Sequence, residues 1–415
     1  MQAAPLSVKI SLTRDRIRQW INEFGEDGVY VSFSGGKDST VLLDIVRKDY
    51  PNVPAVYCDT GLEYPEVRDF VKTFDNVTIL KPKMNFKEVV NKYGFPFISK
   101  EVSECVYGAR RYLESINGGE YPRELTAELI AKVDELSCRN LRGGVRQQME
   151  KAQGDGLLQQ TRGTSQKEFP QRWRQVKGIG EYRAGVDFHT MVQNVRVQRA
   201  LGILPKKGLA DLDSLPGYKD RSQYSCARYQ FFLEAPFEIG QRCCKVMKKD
   251  PFHRYQRETG RKAMTAQMAE ESRLRLQSWI KYGCNAFNTK DPKSNPMMFW
   301  TEQDVLQYIK EKHLPIASVY GEIVRDTEVA GQMNLFDYGL SEESDLLKTT
   351  GCNRTGCMFC LYGIHLEDHP NRLEMLKNTH PKIYEYIMKP EEEGGLGYKE
   401  KIDWVNEHGN MDIKY

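Results

Sequence analysis

GVYVSFSGGKDSTVLLDIVRKDY, residues 28–50, is the stretch on which the fold turns. Its opening, GVYVSF (28–33), is a short run of valine and aromatic residues that suits a strand. SGGKDS (34–39) is a tight glycine turn, and STVLLDIVRKDY (39–50) repeats its apolar residues at helical spacing. The segment therefore reads as strand, loop and helix. Outward from it, VPAVYCDT (53–60) is a second strand, EYPEVRDFVKTF (63–74) a second helix and VTILKP (77–82) a third strand. Strands alternating with helices at this spacing form a parallel sheet covered on both faces, so the expected class is α/β, doubly wound and mainly parallel. Upstream, Ile17, Trp20, Ile21 and Phe24 recur at helical spacing, which predicts a helix over 13–24 capped by Thr13.

Downstream the pattern changes. From 101 to 230, helix-like stretches (101–116 and 125–136) lead into basic, glycine-punctuated sequence with no convincing run of strands, which predicts a mostly helical insertion. FFLEAPFEIG (231–240) resumes a sheet-like pattern, a helix is expected around RCCKVMKK (242–249), and TEQDVLQYIKEKH (301–313) has helical periodicity. The expected organisation is a main domain from 1–100 and 231–345, a basic insertion at 101–230, and a helical, cysteine-bearing C-terminal region at 346–415. A length of 415 residues agrees with more than one folding unit.

With no run of about 18 apolar residues, a membrane span is not expected. The first residues, MQAAPLSVKISLTRDRIRQW, place no apolar core behind a basic start, so no secretory leader is expected and the cytoplasm is the expected location. The formal net charge is +3, yet from Arg139 to Lys207 there are 14 Lys and Arg against 5 Asp and Glu, a local net of +9. That stretch calls for an anionic neighbour.

The glycine turn carries the chemistry. Paired glycines let the backbone approach an anion, their N–H groups and the following helix N-terminus supply a positive field, and Lys37 adds a point charge. A phosphate is the natural ligand. The spacing is not that of the kinase and GTPase P-loop, which needs four residues between its first Gly and Gly-Lys.

SGGKDS resembles the signature of PP-loop adenine nucleotide alpha-hydrolases, and VYCDTGLEYPEV (56–67) resembles the second signature of their phosphoadenosine phosphosulfate reductase branch. RCCKVMKKDP (242–251) is similar to the paired-cysteine motif of adenylyl sulfate reductases, and AEESRLR (269–275) to the Glu-Ser-Arg segment of that family. FWTEQDVLQYI (299–309) is similar to its Trp-Thr-x-x-Asp-Val helix, and GCMFC (356–360) to its late Gly-Cys-x-x-Cys. The resemblance covers about residues 25–100 and 235–365 and implies the nucleotide alpha-hydrolase fold for the main domain. It makes Ser34, Gly35, Gly36, Lys37, Asp38 and Ser39 the phosphate site, with Ser32 at the strand end and Asp59 and Gly61 near the nucleotide. Lys37, Asp38 and the cations Arg273 and Arg275 are the implied catalytic residues.

Cys58, Cys105, Cys138 and Cys226 are isolated and read as small buried hydrophobes. CNRTGCMFC (352–360) has a spacing able to wrap a metal, and the reductase pattern gathers Cys243, Cys244, Cys357 and Cys360 as four thiolates for a 4Fe-4S cluster. A rival set takes Cys352 with Cys357 and Cys360 and draws its fourth ligand from Cys284 or Cys244. Zinc on four thiolates, a structural staple, is the alternative metal. His365 and His369 read as surface or capping residues.

VKGIGEYRA (176–184) looks similar to a helix-hairpin-helix element, and Arg172, Trp173, Arg174, Lys177, Arg183, Arg196 and Arg199 lie around it. That composition suits a surface tracking nucleic-acid phosphates, the alternative being a solvated basic face. The expectation is an ATP pyrophosphatase that, with Mg2+, adenylates an acceptor for sulfur transfer, a nucleic acid being one candidate acceptor and a sulfur-carrying protein one candidate donor, with neither fixed by the sequence. The alternatives are a reductase that releases sulfite from adenylyl sulfate or its 3'-phosphate, and a non-catalytic nucleotide and cluster sensor. True reductases attack with the cysteine of a Glu-Cys-Gly-Ile-His segment, whereas the Gly-Ile-His at 363–365 here follows Tyr362 and no cysteine follows Cys360.

Overall fold

The computed structural model describes residues 1–117, 119–120, 226–326 and 346–415. The helix expected over 125–136, Cys138, and the basic hairpin with Arg172, Arg174, Lys177 and Arg183 lie outside them. Two compact units emerge, 1–86 with 244–359 and 87–243 with 360–415.

The first unit is built on β1 (Val29–Ser32), β2 (Ala55–Cys58), β3 (Val77–Leu80), β5 (Lys262–Met264), β6 (Asn285–Ala286) and β7 (Lys293–Ser294). They form one sheet in the order β3-β2-β1-β5-β7-β6, parallel throughout except for β6 against β7. The fold is therefore α/β with a mainly parallel sheet, as the alternation at 28–82 predicts. β1 and β2 are buried almost continuously, as strands covered on both faces must be. Tyr30, Val56 and Ala263 share a cluster with Tyr255, and Phe252 packs against it, both from the helix Asp250–Thr259. On this sheet β1 sends the chain to β2 on one side and receives β5 on the other, so it marks a topological switch point. Ligands of open parallel sheets collect at the carboxyl ends of strands there.

α1 runs over Leu6–Phe24 and begins seven residues before the predicted cap. Thr13 does not cap it: the residue is buried mid-helix, its hydroxyl accepting from Trp300 Nε1 at 2.8 Å and donating to Pro296 O at 3.4 Å. α2 (Lys37–Asp49) and α3 (Pro65–Val71) follow β1 and β2. The helix expected from 301 spans Glu302–Lys312 and begins in a capping box, with Thr301 Oγ1 accepting from the Asp304 N–H while Asp304 accepts from the Thr301 N–H. A two-stranded antiparallel ribbon, β8 (Ile323–Arg325) with β9 (Leu347–Thr349), completes this unit.

In the second unit β4 (Phe97–Ile98) pairs parallel with β10 (Leu361–Tyr362), and the unit also holds α4 (Lys100–Ile116) and the C-terminal helices Arg372–Thr379, Pro381–Met388 and Tyr398–Gly409. The sheet-like reading of 231–240 is corrected here. Ala227–Glu234 winds into a 3-10 run, and only Ile239 makes a bridge, to Phe95. Its aromatic residues serve a core rather than a sheet: Phe231, Phe232 and Phe237 pack on Trp404, and Lys401 lies 4.5 Å from the Phe95 ring while paired with Glu391 at 2.5 Å.

Candidate functional site

The SGGKDS turn leaves the carboxyl end of β1 and becomes the first turn of α2. Its own hydroxyls fix its shape. Ser39 Oγ accepts from the Ser34 N–H at 3.1 Å, donates to Gly36 O at 2.9 Å and lies 3.0 Å from Ser34 Oγ, while Thr40 Oγ1 donates to Gly36 O at 3.0 Å. Gly35 has φ +70°, and a Cβ there would come within 2.7 Å of Val71 and 2.8 Å of Val67 on α3. A side chain is excluded at that position on both counts. The neighbouring Gly36 faces the hydroxyls of Tyr320 and Thr355, which a Cβ would approach to 3.3 and 3.4 Å. Those two hydroxyls lie 2.7 Å apart, and the Lys37 N–H donates to Tyr320 Oη at 3.2 Å.

Lys37 has 3% of its side chain exposed and lies between two carboxylates, Asp38 at 3.4 Å and Glu302 at 3.1 Å. Burial by itself would lower its pKa, but Asp38 and Glu302 outweigh burial and hold the ammonium above its ordinary value. Asp38 Oδ1, the oxygen that faces Lys37 Nζ at 3.4 Å, is buried and makes no hydrogen bond. Arg275, on the helix Arg273–Tyr282, pairs with Glu271. Burial lowers the Arg275 pKa first, the charge of Arg354 lowers it further and Asp38 partly restores it, so two guanidinium groups and Asp38 feel one another beside the turn. Arg273 opens the same helix and is exposed.

Asp59 and Gly61 form a second turn at the carboxyl end of β2. The Asp59 carboxylate accepts from the Gly61 N–H at 3.2 Å and from Arg68 at 3.0 Å, and Gly61 has φ +75° with open space around it. Ser32 is the last residue of β1, in register with Val56. The structure thus forms the turn from residues 34–39, leaves Arg275 paired with Glu271 but within electrostatic influence of Asp38, and puts Asp59 and Gly61 at the same edge of the sheet.

The thiols divide. Cys58 is buried, donates to Met247 O at 3.3 Å, and is pushed up to about 12 by burial; Cys352 is pushed up to about 11 by burial, and Cys284 is raised for the same reason. Cys244 and Cys357 are partly exposed in the first unit, and Cys243 and Cys360 belong to the second. Lys248 pairs with Glu63 at 3.3 Å; burial opposes its charge, but Cys357 and Glu63 raise its pKa well above the ordinary lysine value. A thiol beside an ammonium is chemically suited to act as a thiolate ligand. Among the described residues, no three His, Cys, Asp or Glu side chains are gathered as metal ligands.

Four contributors escaped the sequence reading. Glu302 stands inside the quoted FWTEQDV segment, and Arg354 and Thr355 inside CNRTGC, but nothing in their spacing tells that they approach a turn roughly 260 to 320 positions away in a chain whose tertiary contacts are not written locally. Tyr320 carries no motif at all.

A model of the phosphoadenosine phosphosulfate reductase domain matches residues 28–117 and 218–361, more than half of the chain. The chain is 29% identical over 99 residues to an adenosine 5'-phosphosulfate reductase of Oceanobacillus iheyensis, covering 22% of this chain and 41% of that protein. It is 26% identical over 135 residues to a phosphoadenosine 5'-phosphosulfate reductase of Proteus mirabilis, covering 32% and 51%. Over 73 residues it is 41% identical to an uncharacterised protein of Methanocaldococcus jannaschii, covering 16% and 18%. The matched stretches therefore span from about a fifth to about half of these relatives' own lengths. Among the described residues no helix is long and apolar enough to cross a membrane.

Proposed function

This chain belongs to the phosphoadenosine phosphosulfate reductase family, and from that premise we propose that it binds ATP at the SGGKDS turn and cleaves it between the alpha and beta phosphates. The observation that carries the reading is the turn itself, braced by its own hydroxyls at the switch point of the sheet, with Lys37 inside it and Arg275 and Arg354 beside it. An acceptor oxygen attacks the alpha phosphorus as the bond to the bridging oxygen breaks. Pyrophosphate leaves with the bond electrons, and Lys37, Arg275 and Arg354 offset its growing charge. The acceptor now carries AMP through a new phosphorus–oxygen bond. A sulfur nucleophile then displaces AMP, which takes the acceptor oxygen with it. The turn hydroxyls and Gly36 fix the phosphate position, and Asp59 and Gly61 bound the nucleotide. Mg2+ at the same phosphates would supply Lewis acidity. A 4Fe-4S cluster is proposed on Cys243, Cys244, Cys357 and Cys360 from their paired spacing, with zinc as the alternative, and no step is routed through it.

A second reading, reduction of a phosphosulfate to sulfite, is favoured by the names of the two reductases above. Against it, the Gly363-Ile364-His365 segment follows Tyr362 rather than a cysteine and is folded into the chain. Tyr362 lies in β10 and donates to Gly240 O at 3.2 Å, the Gly363 N–H donates to Ile98 O at 2.9 Å, and Ile364 is buried.

Two incubations separate these readings. Labelled ATP should yield pyrophosphate, and adenylyl sulfate should yield no sulfite; the reverse result establishes the reductase. Lys37→Ala should weaken ATP binding by about tenfold or more in calorimetry, because a buried ammonium beside phosphate contributes charge that alanine cannot. Equal affinity in both proteins overturns the phosphate-site assignment.

A further inference from the structure

We propose that Glu302 is a specificity-determining residue of the phosphate site: its carboxylate holds Lys37 when no nucleotide is bound and is the group an incoming phosphate must displace. The inference rests on the nucleotide reading above and concerns the same site. Lys37 Nζ has Glu302 at 3.1 Å and Asp38 at 3.4 Å, and almost none of the lysine reaches solvent. Two carboxylates thus compensate one buried ammonium, and the trio carries one net negative charge where an anion is to bind. Arg275 is likewise engaged by Glu271. A phosphate can take Lys37 only by separating it from a carboxylate, and the penalty rises with the number of charges the ligand brings.

Of the two carboxylates, Glu302 is the one that can yield. Asp38 belongs to the first turn of α2, beside the lysine it accompanies. The two side chains are similarly exposed, 34% for Glu302 and 29% for Asp38. Asp38 Oδ1 is buried where it faces Lys37, whereas Glu302 reaches in from another helix on a longer side chain, so its carboxylate can turn to water without leaving a buried charge behind. Its backbone is fixed all the same. The Glu302 N–H donates to Glu270 Oε1 at 2.5 Å, and the preceding capping box is anchored by the buried pair of Asp304 with Lys9 at 2.5 Å. The side chain moves while its root stays in place.

The consequence is discrimination by charge. Titrated without added metal, ATP and inorganic pyrophosphate should bind Glu302→Gln about tenfold more tightly than wild type, a screened charge–charge effect, while AMP should gain less than about twofold. In a Lys37→Met background the same substitution should give a clearly smaller gain, since only the direct repulsion between carboxylate and ligand is then relieved. Circular dichroism and thermal melting establish that each variant is folded, and Glu302→Ala repeats the test without the amide. ATP affinity unchanged or weakened in folded Glu302→Gln overturns the proposal, as does a gain that is undiminished with Met at 37. If wild type and Lys37→Met bind ATP equally, the nucleotide reading has failed and takes this inference with it; Lys37-dependent binding indifferent to Glu302 overturns the inference alone.

Discussion

At the scale of single residues, the phosphate turn was legible because its chemistry is local. Gly35 must be glycine for both its φ of +70° and its contact with Val67 and Val71, and the hydroxyls of Ser34 and Ser39 close the turn within five residues. Glu302, Tyr320 and Thr355 were not legible as site residues, since only the folded chain brings them to Gly36 and Lys37. The thiols show the same division between type and place. Spacing makes Cys352 a rival metal ligand, and in the absence of a metal burial pushes its thiol up to about 11. At about pH 8 only about one Cys352 in a thousand is thiolate, and fewer of Cys58, which burial pushes up to about 12. Brief treatment of reduced, metal-free protein with iodoacetamide should therefore leave Cys58 and Cys352 unmodified while partly exposed thiols react, as read by peptide mass spectrometry. Prompt labelling of Cys352 would show that burial does not keep this thiol protonated.

At the scale of elements, periodicity found the helices and missed their ends. The apolar stripe at Ile17, Trp20 and Ile21 is buried as expected, but α1 continues back to Leu6 because buried partners replace the missing cap. Lys9 is the clearest of these partners. A lysine on a helix ordinarily reads as a solvated charge, yet here 3% of its side chain is exposed and it meets Asp304, of which 11% is exposed. The Asp304 carboxylate also accepts from the N–H and hydroxyl of Thr301, so one acid ties α1 to the start of the helix that carries Glu302. Removing the lysine leaves a buried carboxylate with only the Thr301 donors. Lys9→Met should therefore cost about 3 kcal/mol in urea unfolding, a buried-pair loss at the lower end of the usual range. Adding Asp304→Asn should recover part of this, because asparagine retains the cap without the unpaired charge. A Lys9→Met protein as stable as wild type would show that the pair contributes nothing net.

At the scale of the whole molecule, the alternation from 28 to 82 was sufficient for the parallel sheet, because each βα unit is contiguous in sequence. The return of the chain through β5, β7 and β6 was harder to read, since those strands have two or three residues each and carry no alternating pattern long enough to recognise. Charge is the remaining whole-chain property. With +9 concentrated between Arg139 and Lys207 and +3 over the full length, the rest of the chain is slightly acidic, and a charge excess of this kind is what a polyanionic ligand would relieve. If the acceptor for sulfur is a nucleic acid, binding must release condensed counterions. With about six phosphate contacts, affinity for duplex DNA or tRNA should fall by about a thousandfold between about 50 and 200 mM salt. Charge reversal at Arg172, Arg174 and Arg183 should remove most of that affinity and flatten the salt slope. ATP binding at Lys37 should persist, since the two sites draw on different residues and different ligand charges. Gel-shift titrations over a salt series, with calorimetry for ATP, measure both halves. A wild-type protein that retains neither nucleic acid at low salt has a small-molecule acceptor instead, and its basic stretch is then a solvated face.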